Sequence, residues 1–412
     1  MALFGRKITK INTDSQKIEE LLSRSVAQIL PSKDLFRDVL VSGKRLKIYI
    51  GADATGPQLH LGHATNFMLL EKLRRLGHEV VILFGDFTAM IGDPTDKEAL
   101  RKQLTVEQVN DHIQTWKEQV GKIVKFDDRE NPARVLKNSS WLSKLAFSDI
   151  LSLASNFTVQ QMIERDMFEK RLKEQKPIYL HEFLYPLMQG YDSVAMNVDV
   201  EIGGTDQTFN MLAGRVLQKK INSKEKFVIS TTLLENPKTG KKLMSKSEGS
   251  YIALNDSPDE MYGKTLALPD ETLVQMFTDC THLSLDEVET IKKALAGGEN
   301  PKNIKMRLAR EIVTLYYGEK LAQKAEENFK KTFEEGRMPD DVPSVIIERG
   351  SDIGEGVKHS GIVSSMSEWR RLIDEGAIEE VGGGKITNPK MPAERSLTLK
   401  IGKRRFVKIN VE

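Results

Sequence analysis

Lys47-Ile48-Tyr49-Ile50-Gly51, then Ala52-Asp53-Ala54-Thr55-Gly56-Pro57-Gln58, then His60-Leu61-Gly62-His63: this stretch decides the fold. Its first five residues are an apolar run of β-branched and aromatic side chains, the composition of a buried strand. Gly56-Pro57 supplies turn chemistry. From Leu61 the period turns helical, with Leu61, Ala64, Phe67, Met68, Glu71 and Leu73 recurring at three- and four-residue steps as far as Gly77. Glu79-Val80-Val81-Ile82-Leu83-Phe84-Gly85 is a second buried strand. Strand, helix and strand in this order predict a βαβ unit that opens a parallel, nucleotide-binding sheet.

Two histidines three apart at the mouth of that helix suit a triphosphate, because a helix start offers unpaired N–H groups and the positive end of its dipole. Gly62 leaves no side chain between them, so an adenine ring has room against the backbone. Imidazoles at this point can donate to phosphate oxygens as they gain charge. A plainer assignment, with His60 capping the helix and His63 in the core, fits the same four residues. Downstream, Lys238-Thr239-Gly240-Lys241-Lys242-Leu243-Met244-Ser245-Lys246-Ser247 is a cationic, glycine-bearing loop long enough to close over phosphates.

Taken with His60-Leu61-Gly62-His63, that loop resembles the second signature motif of the class I aminoacyl-tRNA synthetases. Tyr49, Asp53, Thr55, Ile91-Gly92-Asp93-Pro94, the Tyr185/Gln189/Asp192 spacing and Gly203-Gly204-Thr205-Asp206-Gln207 narrow the resemblance to the bacterial-type tyrosyl-tRNA synthetases. These motifs span most of the chain and follow the family's order. Two departures stand out: Ala54 replaces a proline common after the family's aspartate, and Leu243 occupies the place of the first lysine of the family's Lys-Met-Ser-Lys-Ser loop, with Lys242 one residue upstream.

The resemblance implies a set of roles. Tyr49 and Asp192 take the phenol of a bound tyrosine, and Asp93, Tyr185 and Gln189 its α-ammonium. Gly51, Asp53, His60, Gly62, His63, Gly204, Asp206, Gln207, Met244 and Lys246 line the ATP site. Thr55, His60, His63 and Lys246, with Lys97 and Arg101 on a pyrophosphate-clamping loop, form the catalytic set. Mg²⁺ arrives with ATP, and no protein metal cluster is expected. The expected partners are tRNA(Tyr), L-tyrosine, ATP and a second copy of the chain.

The residues support parts of this independently. Tyr185, Gln189 and Asp192 stand at i, i+4 and i+7, one stripe of a helix, inside an otherwise apolar segment where polar groups are costly to bury without a ligand or partner. Lys97 and Arg101 share a helical face, which is also the arrangement of a solvated surface. Asp93 before Pro94 equally fits a helix cap.

At 412 residues the chain is long for one core, and 39% hydrophobic with 29% charged residues describes a soluble globular protein. A net charge of +2 is too small to announce nucleic acid, so RNA contacts must come from local patches. The lone Cys280 excludes an internal disulfide and is expected as a small core residue. No apolar run suggests a signal peptide or a membrane span, so a cytoplasmic location is expected.

The expected architecture is α/β: a helical segment over 1–40, a Rossmann-like parallel-sheet catalytic domain over 41–235 with a helical insertion near 105–180, which the resemblance places at a dimer interface, and a lysine-loop and all-α domain over 236–335, which the resemblance turns toward the anticodon arm. A linker over 336–345 leads to a small α+β domain over 346–412, similar to S4-type RNA-binding domains. There Arg370, Arg371, Lys403, Arg404 and Arg405 are the candidate RNA contacts. Two other readings compete: a tryptophanyl relative, disfavoured by the polar Tyr49 and Asp192, and an RNA-binding protein on a synthetase scaffold that has lost its chemistry.

Overall fold

The computed structural model describes residues 10–93, 104–164, 166–244, 251–333, 342–402 and 405–412. They form two compact units, Met1–Ser257 with Lys264–Tyr316, and Pro258–Gly263 with Tyr317–Glu412.

The first unit is built on six strands: β1 (Val26–Leu30), β2 (Lys47–Ala52), β3 (Glu79–Phe84), β4 (Arg134–Lys137), β5 (Val200–Gly204) and β6 (Phe227–Thr231). Their order across the sheet is β1-β6-β5-β2-β3-β4. β2 to β6 are mutually parallel, and β1 lies antiparallel on the β6 edge. The helix Leu61–Arg75 crosses from β2 to β3 and buries Leu61, Ala64, Phe67, Met68, Leu70 and Leu73, completing the βαβ unit expected from the sequence. From β2 the chain builds outward to β3 and β4, then returns to lay β5 and β6 on the other side. The order therefore reverses between β2 and β5, and ligands of such sheets bind at the carboxyl ends flanking that reversal.

Two strands lie where helix was expected. The segment 14–40 forms helices Ser15–Ser23 and Lys33–Val41 with β1 between them. Val26 and Ile29 continue the apolar spacing of the preceding helix, so local pattern favours helix; the open edge of β6 wins, pairing Ile29 with Ile229 and Leu30 with Val228. Ser25, at φ 59°, makes the break. Within 105–180, Arg134–Lys137 is β4, paired parallel to β3, and its four residues are too few and too polar for a visible alternation.

Helices Tyr185–Met196 and Thr208–Asn222 cross closely where Gly190 meets Gly214. A Cβ on Gly190 would stand 2.9 Å from Leu217 Cδ1 and 3.1 Å from the Gly214 nitrogen. The helical stretch after residue 264 is tied to the sheet unit by Arg24, which is 4% exposed. Its guanidinium donates to the carbonyls of Phe277, Thr278, Thr281 and Leu283. Helix Leu273–Cys280 thus belongs to the first unit, and Cys280 is a buried thiol in its core.

In the second unit, β7 (Ser344–Ile347), β8 (Ile378–Glu380), β9 (Leu397–Ile401) and β10 (Arg405–Val411) form a sheet ordered β7-β10-β9-β8. β9 and β10 pair antiparallel, and a short helix spans Met366–Asp374. Trp369 anchors a core with Val357, Ile378, Leu399, Ile401, Val407 and Ile409. β7 begins inside the stretch expected as linker; 334–341 lie outside the described residues. Among the described residues no helix is long and apolar enough to cross a membrane.

Candidate active site

Tyr49, fully buried on β2, and Asp192, 3% exposed on helix Tyr185–Met196, approach the same point below the sheet edge. Asp192 accepts from Trp141 Nε1 at 2.7 Å and Asn138 Nδ2 at 3.3 Å. Burial pushes its carboxyl well above the ordinary range despite those two donors, and the charges of Glu201 and Asp53 add to the rise. The Tyr49 phenol is likewise raised, by burial first and then by Glu201 and Asp192. The two expected partners do not bond each other directly: Tyr49 Oη meets Ser193 Oγ at 2.9 Å.

Behind Tyr49 lies a group the sequence did not announce. Lys226, wholly buried, donates to Ser193 Oγ at 2.9 Å and pairs with Glu201, which is 1% exposed. Gln189 Nε2 donates to the other Glu201 oxygen at 3.1 Å. A Cβ on Gly214 would come within 2.5 Å of Lys226 Nζ and 2.8 Å of Ser193 Oγ, so the glycine makes room for the ammonium. The available signal was Glu201 itself, a charge in the middle of an aliphatic strand with parallel neighbours on both sides.

Just past the end of β2, Asp53 accepts from Thr88 Oγ1 at 2.7 Å and Tyr185 Oη at 2.8 Å. Loss of hydration pushes its carboxyl up to about 7, against the pull of those two bonds. A Cβ on Gly85 would overlap Asp53 Oδ1 at 1.9 Å; only glycine fits under that carboxylate. Asn138 Nδ2 also donates to Thr88 Oγ1 at 3.0 Å, so Asp192 and Asp53 are joined through Asn138 and Thr88. Asp93 accepts from Gln207 Nε2 at 2.8 Å. Asp93, Tyr185 and Gln189, expected to converge on an ammonium, thus bond Gln207, Asp53 and Glu201 respectively. The charges of Asp53 and Asp93 add to burial in raising the Tyr185 phenol.

A second part of the candidate site starts at His60, the residue that opens helix Leu61–Arg75. Its backbone N–H donates to His63 Nδ1 at 3.2 Å, which leaves the neutral ring's proton on Nε2, and the imidazole centroids lie 3.8 Å apart. The chain emerging from the lysine loop is strapped to this corner: Leu61 N donates to Ile252 O, Leu254 N to Leu59 O, and Tyr251 Oη to Gln58 Oε1 at 2.7 Å. On the loop's entering side, Met244 Cβ is 3.5 Å from where a Gly62 Cβ would stand. The two motifs, far apart in sequence, therefore meet at Gly62.

Thr55 lies beside Asp53, its N–H bonded to the Asp53 carbonyl at 2.8 Å. Asp206 follows Gly204 at the end of β5, and Lys242 Nζ stands 3.8 Å from Asp206 Oδ2. Leu243 is 8% exposed while the Lys242 side chain is 56% exposed, so the residue in the missing lysine's place faces inward and its neighbour outward. Lys97, Arg101 and Lys246 lie outside the described residues, as do Lys403 and Arg404. Of the remaining RNA candidates, Arg370 and Arg371 are exposed, Arg371 pairing with Glu375 at 2.8 Å. Arg405 instead turns inward, donating to the Ile362 carbonyl and to Glu368 at 2.9 Å. Among the described residues no group of three His, Cys, Asp or Glu side chains is placed to hold a metal.

Comparison with known proteins gives a consistent picture. Residues 42–334 match the family model "tRNA synthetases class I (W and Y)". The chain is 41% identical over 408 residues to a tyrosine–tRNA ligase of Moorella thermoacetica, covering 97% of each chain. To the tyrosine–tRNA ligase of Carboxydothermus hydrogenoformans it is 42% identical over 409 residues, covering 95% of this chain and 97% of the relative. A C-terminally truncated mitochondrial tyrosyl-tRNA synthetase of Aspergillus nidulans superposes with a TM-score of 0.65 at 23% identity, over 77% of this chain and 94% of that one, a likeness of fold.

Proposed function

We infer, since the chain belongs to the class I tRNA synthetases of the W and Y branch, that its activity is that of a tyrosine–tRNA ligase. L-Tyrosine is activated with ATP to tyrosyl-adenylate, and the tyrosyl group is then passed to the 3′ end of tRNA(Tyr). The tyrosine carboxylate attacks the α-phosphorus, pyrophosphate leaves, and the terminal ribose hydroxyl of the tRNA takes the acyl group. No side-chain nucleophile takes part.

The observation that carries the choice of tyrosine is the buried carboxylate of Asp192, held by Trp141 and Asn138 beside the buried Tyr49 hydroxyl. An indole has no oxygen to offer these groups, and phenylalanine would leave them unsatisfied. Asp93, Tyr185 and Gln189 are assigned to the ammonium, with Asp53 lining the amino-acid and nucleotide site beside them. Asp206, with Gly204 letting the backbone approach, suits the ribose hydroxyls. His60, His63 and Thr55 at the helix mouth, with Lys246, Lys97 and Arg101, are assigned to the phosphates, where their contacts strengthen as charge develops on the leaving pyrophosphate. Mg²⁺ enters as the counter-ion of ATP.

The remaining assignments rest on surface chemistry. Phe147, Leu151, Val159 and Leu180 are 75, 56, 67 and 80% exposed, apolar surface that favours a homodimer through this insertion. Arg370 and Arg371, with Lys403 and Arg404, are the basic groups assigned to the RNA backbone, a grip that weakens with salt.

ATP–pyrophosphate exchange measured with each of the twenty amino acids tests the central assignment. Exchange with tyrosine alone is expected. Exchange driven by tryptophan would move the chain to the other branch of its family, and exchange with none would return it to an RNA-binding scaffold.

A further inference from the structure

The buried group behind Tyr49 has a chemical direction. Tyr49 Oη meets Ser193 Oγ at 2.9 Å, and Ser193 Oγ meets Lys226 Nζ at 2.9 Å. An ammonium has only donors, so Lys226 occupies an acceptor position of the serine oxygen. The single proton of Ser193 then has two destinations: Tyr49 Oη at 2.9 Å and Glu201 Oε2 at 3.3 Å. The tyrosine oxygen is the nearer, and Glu201 Oε2 already receives the lysine. With Ser193 donating to Tyr49, the proton of Tyr49 itself points away from the serine. Asp192 faces the same space; burial raises its carboxyl, while the N–H donors on both oxygens pull the other way and favour the form that accepts.

A buried ion pair seldom adds stability over a well-packed apolar pair, and this one further requires glycine at 214. A pair so placed calls for a role beyond packing. We propose that Lys226, with Glu201 as its buried counter-charge, is a positioning residue that sets the direction of a hydrogen-bond chain from Lys226 through Ser193 to Tyr49. Tyr49 then presents a donor, and Asp192 an acceptor, to the para substituent of the amino acid. A phenolic hydroxyl accepts one bond and donates one, so it completes the chain. A para amino group, which donates readily and accepts poorly, meets the Tyr49 donor head-on. The inference rests on the reading in which Tyr49 and Asp192 take the phenol of the substrate, and it adds the residue that decides which of them donates.

The test is kcat/KM for ATP–pyrophosphate exchange with tyrosine and with 4-aminophenylalanine, in four proteins: the natural chain, Ser193→Ala, the double variant Lys226→Met with Glu201→Gln, and Tyr49→Phe. Thermal melts establish that each is folded. In Ser193→Ala and in the double variant the Tyr49 hydroxyl is free to reverse. The preference for tyrosine over the amino analogue should fall about tenfold, the worth of one hydrogen bond to a buried group, while the KM for ATP stays put. Equal losses for both substrates in these variants, with Tyr49→Phe still erasing the preference, would overturn the directed chain and leave Lys226 as a packing residue. A preference unchanged even in Tyr49→Phe would overturn the placement of Tyr49 at the phenol, and the directed chain with it. Should the double variant fail to fold, Ser193→Ala alone decides.

Discussion

The two ends of this site are built by opposite means. At the end assigned to tyrosine, Tyr49, Asp192, Ser193, Glu201 and Lys226 are all buried, and each already holds a protein partner. At the end assigned to the phosphates, His60 and His63 are only half-buried, and Lys242 and Asp206 stand largely in solvent. Desolvated, pre-bonded groups discriminate strongly, because a wrong ligand leaves them unsatisfied. Half-exposed donors at a helix mouth suit a ligand that brings its own charge and whose need for donors peaks in the transition state. On the proposed function one end selects and the other accelerates, and substitutions should separate them.

The largest effect is expected from Asp192→Ala. Tyrosyl-tRNA synthetases are the standing example of about 10⁵-fold rejection of phenylalanine, and that family-wide figure sets the ceiling for this variant. It should lose tyrosine kcat/KM by several orders of magnitude and phenylalanine kcat/KM by far less. Equal losses would remove Asp192 from the phenol. At the other end, His60→Ala and Lys246→Ala should each slow adenylate formation by about 10²–10³, the usual worth of one transition-state donor, with the tyrosine dissociation constant unchanged. Lys242→Ala is the companion: a comparable slowing would mean that Lys242 stands in for the lysine absent at Leu243.

Gly214→Ala sharpens the contrast through packing. Its methyl group would displace the Lys226 ammonium, costing about 1–3 kcal/mol of stability and weakening tyrosine binding, with no change in ATP affinity. Calorimetric melting and tyrosine titration check both halves. The smallest effect concerns Asp53. Its folded pKa of about 7 lies above the ordinary carboxyl value, so the folded state holds an extra proton. That stabilisation is complete below the ordinary value and is lost as pH rises through about 7. Melting temperatures of Asp53→Asn should therefore gain on those of the natural chain between about pH 4 and pH 7 and run parallel above that; a constant difference throughout would place Asp53 in water.

Legibility in the sequence followed the same divide. The βαβ unit and the helix carrying Tyr185 and Asp192 were readable, because each has a local period or a motif with fixed spacing. β1 and β4 were not: one continues a helical stripe and the other is too short to alternate, and both form because a sheet edge elsewhere needs a partner. The site divides likewise. His60, Asp93 and Asp206 stand out by spacing, whereas Ser193, Lys226 and Asn138 gain meaning only when the fold brings them to Tyr49 and Asp192. The same holds for partners: Tyr185 reaches Asp53 and Gln189 reaches Glu201, pairings that no spacing encodes. Arg405 looked like part of a basic patch and is spent on Glu368.

Titrating L-tyrosine calorimetrically into the nucleotide-free protein asks most directly whether the selecting end is complete before the phosphate end is occupied. Tyrosine should bind one per chain without ATP, and a non-hydrolysable ATP analogue should change its affinity by no more than a few-fold. Tyrosine binding that appears only once the nucleotide is present would contradict a preformed pocket and make the two ends a single, jointly assembled site.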